Sequence, residues 1–308
     1  MKKKVSIIGA GNVGATTALL VVQSGIADVV LFDIVEGMPQ GKALDLAEAC
    51  PLWNSSSKIT GTNSYSDTAG SDVIVITAGL ARKPGMSRSD LLHANANIIK
   101  SASFDVAKAS PHSIIIVVTN PMDVMAQLAW KTSEFSCKRV MGMGGILDAS
   151  RFRSFLSWEL KVSPEDVEAL VLGGHGDDMV PLPRFTTAKG IPVTELLPKK
   201  KIEALIDRTR NGGAEIVSLL KSGSAYYAPA ASAFQMVKSI LMDEKRLLPC
   251  AAYLNGEYGI KDTYMGVPAI LGKEGVEKIM EVKLTKEEKT QFKKSYASVQ
   301  KLLKQLGI

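Results

Sequence analysis

Short apolar runs rich in Val and Ile alternate along this chain with longer stretches of helical spacing. Lys4 to Ile8 is a β-branched run that meets glycines at once, and Thr16 to Ser24 then reads as a helix. Val29 to Ile34 predicts a second strand. Gly41 to Cys50 predicts a helix, with Ala43, Leu44 and Ala47 at helical spacing. Asp72 to Thr77 and Ser113 to Thr119 read as strands on either side of a helix over Ala94 to Ala109, and Asp123 to Lys131 is helical again. Strands alternating with helices imply βαβ units and a parallel sheet, and unbroken β-branched runs suit strands buried on both faces.

The pattern changes after about residue 145. Ala149 to Leu160 predicts a helix, and Val167 to Leu172 a strand that ends in Gly173-Gly174-His175-Gly176. Helical patterning dominates Lys199 to Met242, with interruptions expected near Gly212-Gly213 and Gly223. Leu247 to Leu254 and Tyr264 to Leu271 read as antiparallel strands. Thr285 and Glu288 have capping-box spacing, and Phe292, Tyr296, Val299, Leu303 and Leu306 form an apolar stripe on a closing helix. The expected fold is α/β: a doubly wound parallel sheet in residues 1–145, followed by an α+β unit in residues 146–308. No repeat or low-complexity linker separates the two, so a firm interface is expected.

With 308 residues, 46% of them hydrophobic, the chain can bury the core that two such units need. No apolar run approaches the roughly 18 residues of a membrane span. Met1 to Lys4 has the basic character of a leader, but Val5 to Ile8 runs into glycine with no apolar segment or cleavage site behind it. A cytoplasmic protein is expected. Cys50, Cys137 and Cys250 lie far apart with no CxxC pair, which points to free thiols and away from a disulfide framework or a metal site. The formal charge of +6 comes with lysine clusters such as Lys199 to Lys201, without interleaved aromatic residues or a nucleic-acid motif. It reads as a solvated surface, part of which can draw in an anionic substrate.

Gly9-Ala10-Gly11-Asn12-Val13-Gly14 fits G-x-G-x-x-G, and it follows a strand and opens a helix, as the dinucleotide fingerprint requires. The first glycine permits the tight turn, the second a close approach by pyrophosphate, and the third close packing of helix on strand. The helix N-terminus offers free N–H groups and a positive dipole end. This makes the parallel sheet a Rossmann sheet. Asp33, about 20 residues on, ends the second strand, where a carboxylate accepts from a ribose 2′-hydroxyl and repels a 2′-phosphate; no Arg follows nearby. NAD is therefore expected over NADP.

Of the three histidines, His93 and His112 read as structural or surface residues. His175 stands at a strand end among glycines, where other groups can approach closely. Removing a hydride from an alcohol needs a base for the hydroxyl proton, and imidazole titrates in the right range. Asp148 is the candidate to orient it, and Arg151, three residues on, shares a helix face with Asp148. Arg151 suits a substrate carboxylate, although spacing alone allows an ordinary surface ion pair equally well. Gly79 to Leu91 carries Arg82, Lys83 and Arg88 on a polar loop, with Gly85 as a flexible point, and suits a lid that closes over an anion. A simple solvated loop stays open as the alternative.

GAGNVG, Asp33, ARKPGMSR, VTNPMD, LDASRFR and GGHGDDMVPLPR occur in the order and spacing of the lactate/malate dehydrogenase family, which the chain resembles over essentially its whole length. The resemblance implies that His175 donates and accepts the proton with Asp148 as its partner, and that Arg151 clamps the substrate C1 carboxylate. It implies further that Arg88 polarises the carbonyl and that Asn120 contacts substrate. Val118, Thr119 and Asn120 would lie near the nicotinamide and Asn95 along the cofactor, with a cis Asn120-Pro121 bond. Arg82 stands where lactate members carry glutamine and malate members arginine. A charge-assisted fork there fits the second carboxylate of oxaloacetate, whereas the methyl of pyruvate would leave Arg82 unpaired. The implied reaction is reversible NAD-dependent oxidation of (S)-malate to oxaloacetate, a step of the tricarboxylic acid cycle. An L-lactate dehydrogenase, an NAD-dependent glycosidase and a non-catalytic NAD-binding protein are the alternatives. LDASR departs from the frequent LDSAR only between Asp148 and Arg151. The resemblance also implies a homo-oligomer, with a tetramer favoured over a dimer.

Overall fold

Val73–Ile76 and Ile114–Val117 are buried at every position, the pattern of strands covered on both faces. In the computed structural model, which describes residues 2–80 and 87–308, they lie inside a large twisted sheet. The first half of the chain runs β1 (Lys4–Ile8), α1 (Asn12–Ser24), β2 (Asp28–Phe32), α2 (Met38–Ala49) and β3 (Ile59–Thr62). It continues through β4 (Val73–Ile76), α3 (Arg88–Ala109), β5 (Ile114–Val117), α4 (Met122–Ser133) and β6 (Val140–Gly142). These strands pair in parallel in the order β6-β5-β4-β1-β2-β3. The direction of winding reverses at β1 and β4, and a crevice opens outside the carboxyl ends of strands at such a point.

The second half begins with α5 (Gly145–Leu160), β7 (Val167–Glu168), β8 (Val171–Leu172), β9 (Val180–Pro181), β10 (Thr187–Ala188), β11 (Ile191–Pro192) and α6 (Val193–Leu196). It ends with α7 (Lys199–Leu220), α8 (Tyr227–Leu241), β12 (Arg246–Asn255), β13 (Lys261–Gly272), β14 (Gly275–Ile279) and α9 (Lys286–Leu306). The expected antiparallel strands β12 and β13 form, and they extend the parallel sheet because β12 pairs with β6 at Ala251 and Gly142. Among the described residues one nine-stranded sheet results, in the order β14-β13-β12-β6-β5-β4-β1-β2-β3. The Thr285–Glu288 capping box starts α9, whose Phe292, Val299 and Leu303 are buried in the main core.

Two expectations change, and several strands were not foreseen. Val167 to Leu172 is two strands, because β7 pairs with β10 while β8 pairs with β9. Gly212-Gly213 does not interrupt α7, and the break comes only after Leu220, near Gly223. A Cβ at Gly212 would lie 3.2 Å from Arg151 Cδ, so the glycine lets α7 close on α5. The strands β3, β6 and β14 carried too little pattern to be predicted. Among the described residues no helix is long and apolar enough to cross a membrane.

Candidate active site

The tight turn after β1 follows from its glycines. Gly9 adopts φ +108, and a Cβ at Gly14 would stand 1.8 Å from the Gly9 carbonyl oxygen, so helix and turn touch only without a side chain. A Cβ at Gly11 would meet nothing within 4 Å. No side chain caps the N-terminus of α1, and Gly11 and Asn12 are exposed with Val13 half-buried beside them. The free N–H groups of that first turn therefore face open space, which fits an incoming pyrophosphate. Asp33 follows β2, half-buried, and its Oδ2 accepts from the Ala10 N–H at 2.7 Å while Oδ1 accepts from Val35 N–H at 3.0 Å. Each oxygen keeps a lone pair for a ribose hydroxyl.

The loop after β5 carries Val118, Thr119 and Asn120, and the Asn120-Pro121 bond is cis, as the resemblance implied. Thr119 Oγ1 donates to the Ala78 carbonyl at 2.7 Å. Asn95 on α3 is buried; its Nδ2 donates to the Asn120 carbonyl at 2.8 Å and its Oδ1 accepts from Leu80 N–H at 2.8 Å. Asn95 thus ties two loop ends together, a structural task that its expected place along the cofactor did not suggest. Arg82 and Lys83 lie outside the described residues, as does the side chain of Arg88, whose backbone begins α3.

His175, Asp148 and Arg151 are brought together. His175 Nδ1 lies 2.8 Å from Asp148 Oδ2, and Arg151 Nη1 lies 3.6 Å from Asp148 Oδ1. Asp148 is 2% exposed and Arg151 14%, so the pair is not the surface ion pair that spacing allowed. Burial pushes the imidazole pKa down, but the Asp148 carboxylate beside it, with a smaller contribution from Asp123, carries it above the ordinary value. Burial also lowers the Arg151 pKa, against the opposing pull of Asp148. Arg151 Nε has no hydrogen-bond partner, which leaves much of the guanidinium uncommitted and suits it to an arriving carboxylate.

Glycines make this cluster possible. Gly173 at φ +86 bonds to Gly266 of β13 through N–H to carbonyl contacts of 2.9 and 3.2 Å, and a Cβ on Gly266 would lie 2.2 Å from the Gly173 oxygen. At the start of α5, a Cβ on Gly144 would lie 3.1 Å from His175 Cβ. Sequence reasoning missed Asp123, the acidic end of VTNPMD. Its Oδ2 accepts from the His175 backbone N–H at 2.7 Å, while its Oδ1 is buried without a partner. Burial pushes its carboxyl up to about 6. Ser295 of α9 was missed too; its hydroxyl accepts from Gly174 N–H at 2.8 Å. The only sequence signal for Asp123 was its place one residue beyond Asn-Pro-Met, and Ser295 had none. His93 and His112 are exposed and distant in sequence from this cluster.

A buried His–Asp pair beside a guanidinium can move one proton while gripping an anion, and the turn after β1 is built for a dinucleotide. Known proteins agree. Residues 3–142 match the family described as lactate/malate dehydrogenase, NAD binding domain, and residues 146–306 match lactate/malate dehydrogenase, alpha/beta C-terminal domain. The chain is 57% identical to a malate dehydrogenase of Heliobacterium modesticaldum, over 100% of this chain and 99% of that one. The 1.55 Å structure of malate dehydrogenase from Salinibacter ruber superposes with a TM-score of 0.95 at 51% identity, covering 99% of this chain and 97% of that one. The lactate dehydrogenase of Cryptosporidium parvum, solved with lactic acid and nicotinamide adenine dinucleotide, superposes at 0.96 with 42% identity, covering 99% and 98%.

Proposed function

The chain belongs to the lactate/malate dehydrogenase family, and on that premise we propose that it is an NAD-dependent malate dehydrogenase, interconverting (S)-malate and oxaloacetate. The observation that carries the chemistry is the 2.8 Å contact between His175 Nδ1 and Asp148, with Arg151 beside it. Full-length identity of 55–57% to proteins named malate dehydrogenase favours malate over lactate, and Arg82 in the sequence supports the same choice.

NAD supplies the hydride acceptor when bound. Gly9, Ala10, Gly11, Asn12, Val13 and Gly14 would hold its pyrophosphate, Asp33 its adenosine ribose, and Val118, Thr119 and Asn120 the nicotinamide end, with Asn95 bracing that loop. Asp148 takes the Nδ1 side of His175, so Nε2 is the nitrogen that accepts the malate hydroxyl proton. The imidazolium so formed is stabilised by the Asp148 carboxylate. Arg151 grips the carboxylate next to the reacting carbon, Arg82 grips the distal one, and Arg88 polarises the C–O bond. Residues 1–145 would carry the cofactor and residues 146–308 the proton relay. The enzyme would work as a cytoplasmic homotetramer in the tricarboxylic acid cycle, which sedimentation and fractionation test.

NADH oxidation measured across a panel of 2-oxo acids tests the reading: oxaloacetate should be reduced far faster than pyruvate. Arg82→Gln should weaken oxaloacetate reduction and raise the relative use of pyruvate, and an unchanged preference would refute the role of Arg82. His175→Asn should lower turnover by about 10²–10⁴-fold while NADH still binds.

A further inference from the structure

Lys42 reaches the glycine turn from α2, and its ammonium donates to the Ala10 carbonyl at 2.7 Å. Ala10 is therefore held at both ends, its N–H by Asp33 Oδ2 at 2.7 Å and its carbonyl by Lys42. The position of the lysine is built in. A Cβ at Gly61 of β3 would lie 2.2 Å from the Pro39 carbonyl oxygen, so a glycine admits α2 to this close contact. Gln40 Nε2 donates to Asn63 Oδ1 at 2.6 Å, and Asn63 Nδ2 donates to the carbonyls of Asp33 at 2.7 Å and Val35 at 3.1 Å. These bonds lock the start of α2 to the end of β2, and with it the root of the Lys42 side chain.

Among the described residues no carboxylate pairs with the half-buried Lys42 ammonium, and its bond to a neutral carbonyl leaves two further donors. Ala10 directly precedes Gly11, the N-cap of α1. Consecutive Cα atoms are about 3.8 Å apart, so the cation stands within a few residue lengths of the N–H groups that open α1. A dinucleotide pyrophosphate is a dianion, and Asp33 sets a further negative charge on the same residue of the turn. The charge that excludes a 2′-phosphate therefore also opposes the pyrophosphate.

Resting on the dehydrogenase reading above, we infer that Lys42 is a cofactor-positioning residue: it offsets the Asp33 carboxylate and draws the NAD pyrophosphate to the turn. Lys42→Met and Lys42→Arg, compared with the unaltered enzyme, test this by NADH affinity at about 0.05 M and about 0.5 M salt. Lys42→Met should weaken NADH binding about 5- to 10-fold at low salt and much less at high salt. Arginine should restore most of the loss, and kcat at saturating NADH should change by less than about 2-fold. Adenosine, which lacks phosphate, should inhibit every form alike. Unchanged NADH affinity in Lys42→Met overturns the inference, and so does an equal loss at both salts and for adenosine, which would make Lys42 a structural peg. An unaltered enzyme that binds no NADH would refute the dehydrogenase reading and this inference with it. A turning-over enzyme with an indifferent Lys42 would refute this inference alone.

Discussion

The backbone N–H of His175 donates to the Asp123 carboxylate at 2.7 Å, so the peptide of His175 rests on a buried acid from the opposite half of the chain. Burial lifts that acid from 3.8 to about 6. Between these values the native state holds a proton that the unfolded chain releases, so stability falls as pH rises through the window and stays lower above it. The displacement corresponds to about 3 kcal/mol at most. Asp123→Asn keeps an acceptor for the His175 N–H, and its amide occupies the unpartnered side. Denaturant curves should show a smaller stability loss from about pH 4 to about pH 6 in the variant than in the parent. Parallel pH dependences in the two proteins would contradict this account.

Asp148 offers a second pH test. Burial pushes the His175 pKa down, and the Asp148 carboxylate, through its charge and its hydrogen bond, is the main influence that lifts it above the ordinary value. Asp148→Asn should move the pH at which oxaloacetate reduction fails to lower values, since the imidazolium is lost earlier. Turnover should fall by about 10²–10⁴-fold because the wrong tautomer is favoured. A pH profile that stays in place while the rate drops would point to lost packing and not to charge.

Gly212→Ala sets stability against function. Alanine gains about 1 kcal/mol of helix propensity over glycine, and the new Cβ would sit 3.2 Å from Arg151 Cδ. The guanidinium must yield by a few tenths of an ångström. Thermal stability should hold or rise while KM for oxaloacetate grows roughly 3- to 30-fold, given that a shift of about 1 Å in a positioned group costs about 100-fold. An unaltered KM would show that Arg151 is not the clamp.

The glycines of the turn should separate in the same way. Gly14→Ala forces a Cβ to 1.8 Å from the Gly9 oxygen and should cost several kcal/mol of stability, about 3 or more. Gly11→Ala meets nothing within 4 Å and sits at φ −65, so its melting temperature should stay put while NADH affinity falls. Equal destabilisation by the two would deny that the outer side of the turn receives a ligand.

Strands with dense β-branched sequence, such as β4 and β5, were legible because their residues have no polar side to show. Ile-Thr-Gly-Thr of β3 and Val-Met-Gly of β6 are short, and their strand state comes from neighbours rather than from pattern. Gly212 looked like a breaker because propensity is local, whereas its use is a tertiary contact with Arg151. The His175–Asp148–Arg151 cluster was legible because chemistry demands those residue types. Asp123 and Ser295 act through backbone amides of a distant loop, and nothing in their own neighbourhood of sequence marks that task.

The bridge between β6 and β12 at Gly142 and Ala251 also bears on what a severed chain would do. Val140, Met141 and Gly142 are wholly covered in the intact protein. Cut after residue 145, the first half would present this strand as a bare rim of unpaired amides and carbonyls, a template for any passing strand. The first half supplies its own edge at β3 but not at β6, so without the second half it should precipitate or self-associate through β6.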